Sequence, residues 1–291
     1  MNKSTDKNEH AKKVVNAWED FWYEHSQDET KIDQKRPSGI IEKIKHFLIY
    51  NEEEYNLDRW FKEILLKELP KEGKLCILEA GCGEGKTAMG IWEARFFMVA
   101  LDISKNALQR TIAHSKSNKI SLVPLRGSLF EIPCKDCSFD IILSVGVLEH
   151  FFPEEQRKQY QELARVVKEN GLIYTFVPSF YGFFYRFGMW YAHRQDIWPF
   201  GYEKPMKTLR RLVNSFDNLK CIKEINGAFL TQFYYMMFFL RKIRIIKMIY
   251  LTTVGLLNRI FWCMNHFTRG GYFILNIAQK LPVNKNTENT H

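Results

Sequence analysis

Short apolar runs that alternate with helical patterns dominate the sequence from Lys74 onwards. The runs LCIL, FFMVAL, ISLVPL, FDIILSV and GLIYTFV each suit a buried strand, and helix-like stretches at 86–94, 104–114 and 153–168 lie between them. Strands that are apolar throughout and joined by helices form a parallel sheet with both faces covered. The sequence therefore predicts an α/β fold, and its 291 residues suffice for one large domain or two small ones.

The segments that flank the alternating strands and helices, or are inserted among them, differ from them in composition. Residues 1–70 are charged and helical in pattern, which predicts an N-terminal helical extension that serves as a lid. Residues 71–280 form the predicted main domain, and residues 281–291 a disordered tail. Within the main domain we expect an aromatic cap at 178–203, where eleven rings fall within 180–202, and an apolar, basic insertion at 227–268 before the last strand. A helix is predicted over 204–215 and a strand over 219–224.

Charge and cysteine content narrow the class of protein. The net charge of +9 is compatible with an anionic partner surface and equally with ordinary solubility. Six cysteines in a chain of this length do not form a disulfide framework, and the CxxC at 134–137 lacks a second pair, so we expect no metal site. The N-terminus lacks the apolar region of a signal peptide, which predicts a cytoplasmic location.

The stretch EAGCGEGKT, residues 79–87, fits two different nucleotide-derived ligands. Its GKT ending resembles a phosphate-binding P-loop, although an alanine stands at the first glycine position. That interpretation would place Glu79 and Glu84 close to a triphosphate, and like charges repel. A sulfonium cation with no phosphate has the opposite preference. Asp102, at the end of the next apolar run and 21 residues after Gly81, can bind the two hydroxyls of a ribose. These features favour S-adenosylmethionine over ATP.

Four segments together carry a family resemblance. CILEAGCGEG, VALDIS, LRGSLFEIPCKDCSFDIILSVGVLEHF and ELARVVKENGLIYTFVPS occur in this order over about residues 60–180. The chain thereby resembles the class I S-adenosylmethionine-dependent methyltransferases, in particular the ubiquinone/menaquinone-biosynthesis type (methyltransferase type 11). The resemblance implies a Rossmann-like, seven-stranded, mostly parallel sheet with helices on both faces and an antiparallel last strand.

The resemblance also implies which residues hold the cofactor. The glycine loop would lie at the methionine side, Asp102 at the ribose, Ile103 and Leu129 against the adenine, and Ser144 and Val145 beside the methyl group. Ser128 occupies a position where the family usually has an aspartate that binds the adenine amino group, so this contact would lack a charge. The implied cofactor-binding set is Glu79, Gly81, Cys82, Gly83, Gly85, Asp102, Ile103, Ser128, Leu129, Ser144 and Val145.

The reaction expected of such a site is in-line methyl transfer to a small-molecule or lipid-like acceptor. A general base is needed only for a weakly acidic acceptor, and His150, just beyond the fourth predicted strand, is the candidate; its alternative role is to shape the pocket. An RNA methyltransferase and a non-catalytic cofactor-binding subunit are the alternatives. The absence of a recognisable RNA-binding appendage or adenine-methylation motif disfavours nucleic acid as the partner.

The segment 227–268 raises a separate question of location. It has no run of 18 uncharged apolar residues, so it is not predicted to span a membrane. Its interleaved aromatic and basic residues suit an interfacial helix on anionic lipid, which would make the protein peripheral at the inner face of the membrane. A packed insertion between the last two strands is the alternative.

Overall fold

A computed structural model describes residue 10 and residues 12–23, 63–64, 67, 72–240, 244–261 and 270–282. The chain divides into two compact units. One comprises 73–176, 208–224 and 275–291, and the other 1–72, 177–207 and 225–274. Most of the predicted N-terminal extension after residue 23, residues 241–243 and 262–269 of the predicted insertion, and residues 283–291 of the predicted tail lie outside the described residues.

A seven-stranded sheet runs through the chain, and its central strands form the core. Most residues of β1, β2 and β4 are buried, among them Ile77, Leu101 and Leu143 at 0% exposure. The order of the strands is β3-β2-β1-β4-β5-β7-β6, and the sheet is mixed, so the predicted Rossmann-like α/β fold is confirmed. The strands are β1 (Leu75–Ala80), β2 (Phe96–Asp102), β3 (Val123–Arg126), β4 (Phe139–Val145), β5 (Val167–Pro178), β6 (Leu219–Gly227) and β7 (Phe273–Lys280).

The strand order creates the crevice in which a ligand can lie. β1 pairs in parallel with β2 on one side and with β4 on the other, so the chain order reverses between β1 and β4. In open α/β sheets, ligands bind outside the carboxyl ends of the strands at such a switch point. Ala80, Asp102 and Val145 are the last residues of these three strands. β3 is an edge strand, which explains how it accommodates Pro124, a residue without an N–H to donate.

The helices follow the predicted pattern except in one place. A helix predicted over 204–215 is wrong, since only Arg210–Val213 is helical. Pro205 disfavours a helical conformation at the residue before it, and the backbone of Met206 hydrogen-bonds to Pro178 and Phe180, which holds the chain extended. The described α-helices are α1 (12–23), α2 (Lys86–Ile91), α3 (Lys105–Asn118), α4 (Pro153–Val166), α5 (Phe183–Arg194), α6 (Arg210–Val213) and α7 (Arg244–Ile260).

The unit that contains α1, α5 and α7 is rich in aromatic contacts. The predicted aromatic cap contributes α5, whose buried Tyr185 packs against the rings of Tyr235 and Tyr272 at centroid distances of 4.8 and 4.7 Å. α1 contacts the same block, with the ring of Phe21 6.3 Å from that of Phe200. A 3-10 segment, Leu230–Leu240, lies between β6 and α7 in the chain. No helix in the described part of the chain is long and apolar enough to cross a bilayer.

Candidate active site at the carboxyl ends of the strands

The glycine loop between β1 and α2 is built so that only glycine fits at key positions. Gly81, Gly83 and Gly85 have φ of 79°, 52° and 74°, in the left-handed region where a Cβ is unfavourable. A Cβ on Gly81 would lie 2.6 Å from Cγ2 of Val147, and one on Gly85 would lie 2.7 Å from Cγ2 of Thr111. The loop is therefore packed closely against the residues after β4 and against α3.

The amide groups of this loop are used within the protein. Gly83 N donates to Asp102 Oδ2 at 2.8 Å, which joins the loop to the end of β2. A P-loop directs its amides towards bound phosphates, whereas these amides have acceptors of their own. Gly81 N and Cys82 N both donate to Leu101 O at 2.9 Å, and Gly85 N donates to Cys82 O at 2.8 Å.

Lys86 also differs from a phosphate-binding lysine. Its ammonium lies 2.6 Å from Glu84 Oε1, and Arg110 donates to the other oxygen of Glu84 through Nε at 3.1 Å and Nη2 at 2.8 Å. Burial raises the pKa of Glu84, but hydrogen bonds and positive charge from Lys86 and Arg110 outweigh it and hold the pKa below its ordinary value. The carboxylate is thus ionised and engages the lysine, which makes the ATP interpretation of the loop a poor fit to this geometry.

Two carboxylates frame the loop. Glu79, at 2% exposure, accepts a hydrogen bond from Ala88 N at 3.0 Å and thereby fixes the start of α2. Asp102 accepts from Gly83 N through Oδ2 and from Ser104 N through Oδ1, at 2.8 and 2.9 Å. The site is therefore acidic on the side where the sequence predicts the ribose.

Cys82 lies in the same loop but is not a nucleophile. Burial raises the pKa of its thiol well above the ordinary value, and the nearby carboxylates of Glu79 and Asp102 raise it further. The thiol is accordingly protonated, and its Sγ lies 3.5 Å from Gly83 O and 3.9 Å from Thr111 Oγ1. Its side chain packs within the loop.

The segment after β3 reaches the glycine loop. Gly127 N donates to Asp102 O at 3.0 Å, and a Leu129 methyl lies 3.6 Å from the position of a Cβ on Gly81. The hydroxyl of Ser128 accepts a hydrogen bond from Phe130 N at 3.1 Å, so this oxygen is held in a local turn. Ile103 directly follows Asp102 in the turn that begins α3. The predicted adenine-side residues thus lie next to the predicted ribose-side aspartate.

The residues after β4 form the other wall. Ser144 is 2% exposed within β4, and Val145 ends that strand. Gly146 has φ of 69° and donates its amide to Phe176 O at 2.9 Å. Leu148–His150 is a 3-10 turn, in which His150 is 4% exposed and donates its backbone N–H to Val147 O at 3.2 Å. His150 is therefore a buried residue beside the segment that touches the glycine loop.

Four residues of this site escaped the sequence reasoning. Val147 contacts Gly81, and Gln156 of α4 donates to the carbonyls of Leu148 and Phe151 at 2.8 and 2.9 Å, which secures the turn that carries His150. Thr111 Oγ1 donates to Gly83 O at 2.8 Å, and Arg110 binds Glu84. Val147, Thr111 and Arg110 contact residues distant in sequence, whereas the partners of Gln156 lie eight and five residues before it; no sequence pattern pointed to any of the four.

No group of three or more metal-ligating side chains occurs within the described ranges. The CxxC cysteines have other surroundings: Arg165 donates to Cys134 O at 2.8 Å, and Lys280 Nζ lies 3.4 Å from Cys137 Sγ.

Comparison with known proteins shows that part of the chain is similar to methyltransferases. Residues 78–175 match a family model described as a methyltransferase domain. The chain is 30% identical over 123 residues to a protein of Mycobacterium tuberculosis named as a probable S-adenosylmethionine-dependent methyltransferase, covering 41% of this chain and 43% of that relative. It is also 25% identical over 147 residues to a ubiquinone biosynthesis O-methyltransferase of Rickettsia akari, covering 47% of this chain and 57% of that relative.

A solved structure agrees on the fold. The PH0226 protein of Pyrococcus horikoshii OT3 superposes with a TM-score of 0.52 and 15% identity, over 78% of this chain and 91% of that chain. At this identity the likeness concerns the fold alone. Residues 78–175 are therefore similar to a methyltransferase domain, and the chain spans less than two thirds of the length of the curated relatives it matches.

Proposed function

We propose that this chain binds S-adenosylmethionine in the crevice above β1, β2 and β4 and transfers its methyl group to a small-molecule or lipid-like acceptor. The observation that carries the proposal is that the glycine loop uses its polar groups within the protein. The amide of Gly83 donates to Asp102, and the ammonium of Lys86 pairs with Glu84. Such a loop suits a cationic ligand without phosphates. The proposed binding residues are Glu79, Gly81, Cys82, Gly83, Gly85, Asp102, Ile103, Ser128, Leu129, Ser144 and Val145.

Each part of the crevice has a role in this proposal. Asp102 accepts hydrogen bonds from the ribose hydroxyls while its amide contacts keep it in place. Ile103 and Leu129 provide apolar contacts for the adenine, and Ser128 meets its amino group without a charge. Ser144 and Val145 shape the space beside the methyl group.

The cofactor supplies an activated methyl group on a sulfonium. In the displacement, the acceptor's lone pair forms the new bond to carbon, and the electrons of the carbon–sulfur bond remain on sulfur. The protein can contribute much of the rate by aligning the two reactants and excluding water. Because the cofactor supplies the reactive group, this mechanism requires few chemically reactive side chains.

His150 is the proposed general base for acceptors that hold their proton. Its burial in the turn after β4 supports a position near the reacting group. His150→Ala should lower methyl transfer by about 10²–10⁴-fold while cofactor affinity holds. A smaller loss that appears mainly in acceptor affinity would assign it to pocket shape, and an unchanged rate would remove it from the site. His193→Ala, at an exposed position of α5, is the matched control.

The acceptor class can be tested without a guess at its identity. The protein is incubated with methyl-labelled cofactor and a cell extract, which is then separated into lipid, polar and nucleic-acid fractions. The proposal expects label in the lipid or polar small-molecule fraction. Label in nucleic acid would favour the RNA alternative, and the absence of transfer in every fraction would favour a non-catalytic binding subunit.

We further propose that residues 227–268 hold the protein at the inner, cytoplasmic face of a membrane. In α7 the side chains of Ile249, Leu256 and Ile260 are 58%, 53% and 62% exposed, which is unfavourable in water. Residues 225–287 contain no aspartate or glutamate, so their lysines and arginines face no acid within the segment. Exposed apolar side chains in a segment that has basic but no acidic residues suit an interfacial helix on anionic lipid.

Co-sedimentation with anionic vesicles tests this location. Each cation near an anionic leaflet contributes about 1 kcal/mol, so the basic cluster of 241–247 should favour binding at low salt and less at high salt. Wild-type protein that stays in the supernatant at low salt would refute the membrane association and favour a packed insertion. The variant with glutamate at Arg241, Lys242, Arg244 and Lys247 should fold but not bind.

A further inference from the structure

Helix α5 carries a row of exposed aromatic rings. Phe183, Phe187 and Trp190 are spaced four and three residues apart, so they share one helix face. Their exposures are 66%, 40% and 49%, values that set them apart from the buried Tyr185 of the same helix. Neighbouring rings lie 6.3 and 5.7 Å apart with interplanar angles of 6° and 13°. We call these three residues the aromatic row.

Another side of α5 is firmly packed, and Phe187 of the aromatic row also stacks on Phe239 of the 3-10 segment, with ring centroids 5.0 Å apart. A Cβ on Gly188 would lie 2.5 Å from Tyr235 O, so the helix lies directly against the 3-10 segment 230–240. Phe184 and Phe233 rings lie 4.4 Å apart, and α7 joins the same segment through the Tyr250 hydroxyl, which donates to Phe233 O at 2.8 Å. The aromatic row thus stays exposed on a helix that is already seated on its own core.

Positive charge lies at one end of the aromatic row and over a ring that precedes the helix. The Arg194 guanidinium lies over the Trp190 ring, 5.0 Å from its centroid. At the start of the helix, Arg186 and Lys207 both lie over the ring of Phe180, at 4.0 and 4.8 Å. Residues 179–195 contain no aspartate or glutamate. A surface on which cations lie beside exposed aromatic rings complements the phosphates and the acyl boundary of an anionic bilayer, where tryptophan is itself favoured.

We propose that the aromatic row inserts into the interface of an anionic bilayer and is a second membrane contact, distinct from the basic segment 241–247. It rests on the membrane association proposed above, and it adds a contact of a different physical kind. Attraction of the basic segment is electrostatic and is screened by salt, whereas insertion of rings depends on burial of apolar surface. The aromatic row therefore provides the part of vesicle binding that survives high salt.

The test compares variants by co-sedimentation with vesicles of phosphatidylglycerol and phosphatidylcholine at two salt concentrations, about 0.05 M and about 0.5 M. At the higher concentration the screening length falls to a few ångströms. One variant carries Phe183→Ser, Phe187→Ser and Trp190→Ser. Its binding at high salt should fall at least about tenfold, given the apolar area that three rings contribute. The matched control replaces three exposed apolar residues of the sheet with serine and should bind as the wild type does: Phe97, Val123 and Ile222.

A second measurement uses the intact protein, so that the conclusion does not depend on the folding of the triple variant. Vesicles with brominated acyl chains should quench tryptophan fluorescence in the wild type more than in Trp190→Phe, because Trp190 reaches the acyl boundary. Equal quenching, or full binding of the triple variant at high salt, overturns the proposal.

The two membrane proposals fail in distinguishable ways. If vesicle binding is lost when glutamine replaces the basic residues of 241–247 but not in the triple serine variant, the membrane association stands. The role of the aromatic row is then rejected. Absence of wild-type binding at both salt concentrations rejects both. A third outcome is that the wild type does not bind vesicles and is a dimer, whereas the triple serine variant is a monomer. That result would show that a second copy of the chain covers the aromatic row.

Discussion

Gly81→Ala should destabilise the protein for two separable reasons. The φ of 79° costs an alanine about 1–2 kcal/mol. Its Cβ would also lie 2.6 Å from Cγ2 of Val147. Because a β-branched side chain has few alternative rotamers, Val147 cannot move aside easily, and overpacking of this kind costs about 1–3 kcal/mol. The expected loss in free energy of unfolding is therefore about 2–5 kcal/mol.

Two controls separate these contributions in urea unfolding followed by circular dichroism. Gly73 also has a positive φ, 92°, but a Cβ there would meet no atom within 4 Å, so Gly73→Ala should cost only the backbone term. In a Val147→Ala background the cost of Gly81→Ala should fall by about 1–3 kcal/mol, which is the coupling energy of the pair. Equal losses at Gly73 and Gly81, with no coupling to Val147, would refute the close packing of the loop.

Two further predictions concern charged groups. Burial raises the pKa of Glu203, which accepts a hydrogen bond from the Tyr185 hydroxyl, to about 7. The folded state therefore keeps a proton on Glu203 that the unfolded state releases above about pH 4.5. The free energy of unfolding should fall by up to about 3 kcal/mol as the pH rises from about 4.5 to 7. In urea unfolding, Glu203→Gln should lack this dependence on pH. Arg110→Met should weaken cofactor binding measured by calorimetry, and should cost about 1–3 kcal/mol of stability by leaving the mostly buried Glu84 with fewer partners. Arg95→Met, at a more exposed pair with Glu93, should cost less than about 1 kcal/mol, and an equal loss would contradict the role given to Arg110.

Much of the sheet was predictable because its strands are apolar throughout. A buried parallel strand needs no alternation of polar and apolar residues, so the runs that end at Asp102 and Val145 stand out from their surroundings. The glycine loop was predictable for a related reason, since a left-handed backbone at Gly81 leaves few alternatives to glycine. Family resemblance then supplied the expected roles of the surrounding residues, which remain predictions.

Features that depend on distant contacts were not predictable. The Arg110–Glu84 pair joins residues 26 apart, and neither residue signals the other in the sequence. The helical pattern of 204–215 was misleading because two backbone hydrogen bonds override local propensity: Met206 N donates to Pro178 O, and Phe180 N donates to Met206 O. The density of aromatic residues in 180–202 indicated a cap but could not tell the buried Tyr185 from the exposed Trp190, since that difference depends on which face of α5 meets the 3-10 segment.

Binding calorimetry with S-adenosylhomocysteine and with Mg-ATP tests the central claim most directly. The wild type should bind S-adenosylhomocysteine and not Mg-ATP. Asp102→Ala should weaken that binding about 30-fold or more, since each ribose hydroxyl left unpaired costs about 1–3 kcal/mol, and a thermal melt of the variant checks that it still folds. Tight binding of Mg-ATP that is lost in Lys86→Met, without binding of S-adenosylhomocysteine, would contradict the account.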